Sequence, residues 1–175
     1  MPYIELTLRS ATQSWGKPEL WGDERRTEEA PTERVIYGLL GRALGYQRDD
    51  ERFPKLKEDV KVEIVKPQKP KYILIDDQVI NCEWYCNRLG LSGLPSGEGG
   101  TRTGSTKYAA TLSKEYLEDC ISDCPHVKLY SDTDTLKAII HALRRPRYPY
   151  YFGRYCCIPA GNITDGIIKE DEACT

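Results

Sequence analysis

The order of hydrophobic periodicities is what most restricts how this chain can fold. From Tyr3 to Arg9, Ile4, Leu6 and Leu8 alternate with Glu5, Thr7 and Arg9, the period of a half-buried strand. Pro31-Thr32 then opens a helix with Thr32 at the N-cap and Glu33 in the first turn, where acceptor and negative charge suit the free backbone N–H groups. Val35, Ile36, Leu39, Leu40, Ala43 and Leu44 form its apolar stripe, and Gly45 ends it. The pair recurs later. His126–Tyr130 reads as a strand, and Asp132–Leu143 as a helix with Leu136, Ile139, Ile140 and Leu143 on one face, stopped before Pro146. Between the two units, Val60, Val62 and Ile64 alternate with charged residues, and after K-P-Q-K-P the stretch Tyr72–Ile80 reads as another strand. Residues 58–81 therefore read as two strands joined by a short connection. Tyr150–Ile158 reads as the last ordered stretch, ahead of an acidic tail over residues 161–175. The expected fold is α+β: a ferredoxin-like βαββαβ domain over residues 1–160, with two helices on one face of an antiparallel sheet.

At 175 residues and 20.0 kDa, one core buries roughly 70% of the unfolded surface. Mean hydropathy is −0.58 with 39% apolar residues, which excludes a largely disordered chain. No run approaches the length of a membrane span, and the start MPYIELTLRS lacks a basic and an apolar region of an export signal. The expectation is a cytoplasmic protein with no membrane partner. The seven cysteines, at 82, 86, 120, 124, 156, 157 and 174, are an odd number suited to reduced thiols. Cys82 with Cys86 and Cys120 with Cys124 could offer four thiolates to zinc, but structural zinc pairs favour two-residue spacing. Small buried hydrophobes are the alternative, and neither a cofactor nor a metal site is expected.

Residues 82–112 lose periodicity and hold six of the fourteen glycines, a projecting functional loop or an insertion without a role. The net charge of −2 is a cancellation. Asp23–Glu33 carries five acids against two arginines, and 165–175 four acids against one lysine. Opposing them, Tyr85–Lys114 has four bases against one acid, and Arg144–Tyr155 has four arginines and no acid.

Two histidines and no HExxH, GxSxG, P-loop or EF-hand spacing leave little for an enzyme. The stretch above background is RRPRYPYYFGRY, residues 144–155. Arginine forks hold phosphate in bidentate fashion and tyrosine faces stack on unpaired bases, while Gly153 would let a phosphate approach the backbone. The competing explanation is a strand packed beneath surface arginines.

Four segments, IELTLRSATQSWGKPELWG, PTERVIYGLLGRALGYQRDD, YILIDDQVI and RRPRYPYYFGRYC, occur in that order and at intervals that resemble the Cas family five of the repeat-associated RAMP superfamily, as it occurs in type I-E CRISPR Cascade. The likeness runs to about Cys156. It implies a RAMP core and a noncatalytic subunit that binds the 5′ handle of the CRISPR RNA and caps the backbone filament. Implied partners are the crRNA, the backbone subunits, the large subunit and, through the complex, target DNA. By the same likeness residues 82–112 are a thumb straddling the RNA, with Arg102, Lys107 and Tyr108 on it. Trp15, Gly16 and Lys17 would lie near the handle, and Arg144, Arg145, Arg147, Tyr148, Tyr151, Gly153 and Arg154 would line the same groove. The family commonly has Pro-Thr-Arg-Ser where this chain has Pro31-Thr32-Glu33-Arg34, so the arginine contact is either moved by one residue, about 100° of helix, to Arg34 or missing. Relatives also imply alternatives: a metal-independent crRNA-processing endoribonuclease, for which His126, Lys107 and Tyr37 are the candidates, or fusion to an HNH nuclease. A freestanding RRM-like regulator is a third class.

Overall fold

A computed structural model describes residues 1–17, 24–47, 49–69, 73–81, 101–103 and 107–170. Its elements are β1 (Pro2–Thr7), β2 (Thr12–Gln13), β3 (Trp15–Gly16), β4 (Glu24–Arg25), β5 (Thr27–Glu28), α1 (Glu33–Leu44), α2 (Arg52–Asp59), β6 (Lys61–Val65), β7 (Ile73–Asn81), β8 (Thr101–Thr103), β9 (Lys107–Glu118), β10 (His126–Tyr130), α3 (Thr133–Arg144) and β11 (Lys169–Glu170).

The fold is mixed α/β, with a main sheet in the order β11-β1-β10-β6. All its pairings are antiparallel: Tyr3 faces Tyr130 and Thr7 faces His126, while Val65 faces His126 and Lys61 faces Tyr130. The period-two pattern turns Ile4, Leu6, Val62, Val127 and Leu129 inward. Ile36, Leu39 and Leu40 of α1 and Leu136, Ile139 and Leu143 of α3 join them in one core. The first helix ends at Gly45 as expected, with φ +84, but Thr32 occupies the N-cap without a side-chain bond. At α3, Asp132 accepts from the backbone N–H groups of Asp134 and Thr135.

Several expectations are corrected. Tyr150–Ile158 contains no strand: it follows Pro146 and Pro149, a left-handed Gly153 interrupts it, and its backbone bonds run to Ser14 and within its own turn, while Arg147 and Tyr148 just before it bond to α1. The fourth strand of the main sheet is β11, inside the segment expected as a tail. There Thr7 N donates to the Ile163 carbonyl at 2.8 Å, Thr164 bridges Leu6, and Lys169 Nζ meets Glu5 Oε2 at 2.5 Å. The strands β6 and β7 follow one another in sequence but enter different sheets. A helix that the charge-rich stretch RFPKLKED concealed, α2, precedes β6 and buries only Leu56.

The second sheet is built on β9, which extends back to Lys107 into the stretch expected to be aperiodic. β7 lies along one edge, from Ile73 opposite Leu117 to Asn81 opposite Ala109. On the other edge are β2, β4 and β8. Residues 82–100 and 104–106, the remainder of the expected loop, lie outside the described residues.

Candidate nucleic-acid interface

The surface of interest is organised by the end of α1. A helix leaves its last carbonyls without intrahelical donors, and here Arg147 N and Tyr148 N donate to the carbonyls of Ala43 and Arg42 at 2.9 and 3.2 Å. Arg42 completes the tie, its Nε donating to the Pro149 carbonyl at 2.8 Å. The Arg147 stem lies over Gly45, where a β-carbon would come within 2.8 Å of its Cγ. Residues 147–149 thus act as the cap of α1, and the cost of ordering them is met by carbonyls that need donors.

A second knot fixes the rest of the segment. Phe152 is fully buried with its ring 5.7 Å from that of Trp15. Its carbonyl accepts from Ser14 N at 3.1 Å and its N–H donates to the Cys157 carbonyl at 2.9 Å. Gly153 has φ +97, and a β-carbon there would lie 1.6 Å from the Ser14 carbonyl oxygen. The glycine therefore admits protein backbone, which corrects the expectation that it makes room for a phosphate. Arg154 crosses the knot: Nε donates to Ser14 Oγ at 2.9 Å, Nη2 to the Arg25 carbonyl at 3.0 Å, and the guanidinium stands 5.0 Å from the Tyr116 ring centre. Burial, followed by the hydrogen bond with Cys156, raises the Tyr116 phenol above its ordinary pKa.

These ties bring much of the expected groove together. Arg145 and Arg147 are exposed, Tyr148 is partly open and Tyr151 is half-buried beneath Arg42. Gly16 and Lys17 join the same surface through Arg25 and Arg26, since Lys17 N donates to the Arg26 carbonyl at 3.2 Å. Among the described residues no carboxylate is ion-paired with Arg42, Arg145, Arg147 or Arg154. The result is a positive, tyrosine-bearing face on which the exposed Arg42, Arg145 and Arg147 remain available to anions, while Arg154 is held by Ser14 and the Arg25 carbonyl.

Other expected residues fall elsewhere. Trp15 is 1% exposed, its Nε1 donating to Gln13 Oε1 at 3.0 Å, so its indole is core and not a stacking surface. Arg144 turns toward the 163–170 segment, where Nη2 donates to the Asp165 carbonyl at 2.7 Å. Arg34 is exposed in the first turn of α1, about 12 Å along the axis from Arg42 at 1.5 Å per residue. Arg102 pairs with Tyr108, and Thr103 with Lys107, in the β8–β9 register; their side chains lie outside the described residues. Cys120 and Cys124 are buried, the Cys124 thiol being raised in pKa by burial, and Cys82 and Cys86 lie outside the described residues. Arg42, Arg25 and Tyr116 were not singled out from the sequence, whereas Tyr155 belongs to the aromatic set of RRPRYPYYFGRY. An arginine in the apolar run GLLGRALG was the available signal for Arg42, while Arg25 and Tyr116 depend on long-range contacts.

The profile of the family described as CRISPR-associated protein (Cas_Cas5) matches residues 3–173. The CRISPR system Cascade subunit CasD of Escherichia coli (strain K12) is 28% identical over 156 residues, 89% of this chain and 66% of that protein. A solved structure described as a CRISPR RNA-guided surveillance complex contains a chain of similar fold, with TM-score 0.67 and 25% identity, over 93% of this chain and 61% of that one. The crystal structure of a Cas protein gives TM-score 0.61 at 22% identity, over 96% of this chain and 66% of that one. The chain thus spans about two thirds of the length of these relatives.

Proposed function

The chain belongs to the CRISPR-associated Cas5 family, and from that premise we propose that it is a noncatalytic, RNA-gripping subunit of a Cascade-type surveillance complex. Its ligand is the 5′ handle of the CRISPR RNA. The observation that carries this is the face formed by Arg42, Arg145, Arg147 and Tyr151, fixed by backbone bonds and free of carboxylate partners among the described residues. Guanidinium forks suit phosphate oxygens, and tyrosines suit unpaired bases.

The order β11-β1-β10-β6, with α1 and α3 as the crossovers, supports a ferredoxin-like RAMP core. The β7–β9 ribbon is the base of the thumb spanning residues 82–112, which carries Arg102, Lys107 and Tyr108 toward the adjoining backbone subunit. The large subunit docks beside this face, and target DNA is met through the assembled complex, in the cytoplasm and without a membrane contact. The noncatalytic reading is supported by the separation of the candidate acid-base groups. Tyr37 donates to the Val60 carbonyl at 2.7 Å, beside the start of β6, whereas His126 faces Val65 at the other end of that strand. Val60 and Val65 are five residues apart, which at ~3.3 Å per residue is about 16 Å.

Co-expression with backbone and large subunits, followed by sequencing of the recovered RNA, tests the proposal. RNAs sharing a repeat-derived 5′ end are expected; a complex that assembles without this chain, or a chain that brings down no such RNA, overturns it. Repeat RNA incubated with the purified chain in chelator should stay intact, and cutting at one site would overturn the noncatalytic assignment.

A further inference from the structure

Tyr155 is 75% exposed, the most open of the large hydrophobic side chains among the described residues. It is not on a loose loop. Phe152 N bonds the Cys157 carbonyl and Cys157 N bonds the Arg154 carbonyl, closing a tight turn with Tyr155 in it, and the buried Phe152 and Cys157 anchor both sides. The neighbouring Tyr151 ring meets it edge-on, with centres 4.9 Å apart and planes at 72°. Arg42 lies 6.0 Å from the centre of that Tyr151 ring, and Arg154 is the next residue in the chain.

Resting on the RNA-binding reading above, we propose that Tyr155 is a stacking platform for one unpaired nucleobase, braced by Tyr151, with Arg42 placed for the adjacent phosphate. A ring mounted on a rigid turn loses little freedom when a base settles on it, and an edge-to-face neighbour sets its tilt in advance. The exposed Arg42, with no carboxylate ion-paired to it among the described residues, favours a nucleotide over an apolar protein surface as the occupant, because every nucleotide brings an anion. Stacking accepts any base, so this subsite contributes affinity and register but little sequence preference.

The test uses the chain assembled with its partner subunits and a repeat-derived RNA carrying 5-iodouridine at successive handle positions. Irradiation should crosslink Tyr155 from one position. Tyr155→Ala should weaken RNA binding about 5- to 150-fold, the range of one lost base stack, without changing the salt dependence, because no charge is removed. Tyr155→Phe and Tyr155→Trp should retain binding. Wild-type binding that Tyr155→Ala leaves within twofold, or a variant that loses partner subunits while keeping RNA affinity, overturns this proposal alone, the second outcome marking Tyr155 as a protein contact. A wild-type assembly that binds no RNA overturns the functional reading and this subsite with it.

Discussion

Gly153→Ala places a methyl group 1.6 Å from the Ser14 carbonyl oxygen at a residue with φ +97. Restoring an ordinary contact near 3.5 Å requires the two backbones to part by about 2 Å. That movement breaks the Ser14–Phe152 hydrogen bond and unseats a fully buried phenylalanine. The left-handed backbone costs ~1–2 kcal/mol for a residue with a β-carbon, and the hydrogen bond adds ~1 kcal/mol. A fraction of the ~3–5 kcal/mol of a buried Phe side chain follows, for a total of about 4 kcal/mol. In a domain of this size each kcal/mol shifts Tm by ~2–4 °C, so thermal unfolding followed by circular dichroism should move down by about 8–16 °C. Gly16→Ala is the control: nothing lies within 4 Å of a β-carbon there, and a surface change of that kind stays within ~0.5 kcal/mol. A Gly153→Ala protein melting within about 2 °C of wild type would refute the packing argument and return Gly153 to a place beside phosphate.

Tyr37→Phe removes the bond to the Val60 carbonyl and leaves that acceptor buried, so urea unfolding should show a loss of ~1 kcal/mol with RNA binding unchanged. Hydrogen bonds from the Thr135 side chain and backbone, joined by Asp134 N, hold the Asp132 carboxyl below the usual carboxylate range. A lowered folded pKa means that the unfolded chain binds the extra proton. The stabilisation is therefore complete above the unfolded value near ~3.9 and is lost as pH falls through the folded value. Asp132→Asn, which still caps but does not titrate, should make the acid limb of a urea-midpoint profile shallower; an identical limb would contradict the assignment. Among the described cysteines, iodoacetamide should label Cys156 in the folded chain and spare Cys120, Cys124 and Cys157, which are buried, as peptide mapping can check.

The parts of the fold that were legible in the sequence are those in which local period and burial agree. Ile4, Leu6 and Leu8 could only face inward on a strand, and the stripes ending at Leu44 and Leu143 could only face inward on helices. The segment after Arg144 misled because its tyrosines suggest a strand, while its N–H groups are claimed by carbonyls at the end of α1, over a hundred residues earlier. β11 was hidden because two residues carry no period; only pairing with Pro2 and Tyr3 defines it. The same limit applies to the interface. RRPRYPYYFGRY marked where the cations lie, but composition does not separate Arg147, which is exposed, from Arg154, whose fork is committed to Ser14 and Arg25. Trp15 was grouped with the handle on resemblance, and its burial against Phe152 places it beneath that surface.

In the proposed function Arg42, Arg145 and Arg147 form a phosphate-binding face. Its most direct test is the salt dependence of RNA affinity in the assembled complex, wild type against the triple alanine variant. Each cation removed from a single-stranded contact should lower the slope of log affinity against log salt by ~0.7, so the triple variant should show a slope shallower by about 2 in an assembly that still forms. An unchanged slope, with the variant folded and incorporated, would contradict it.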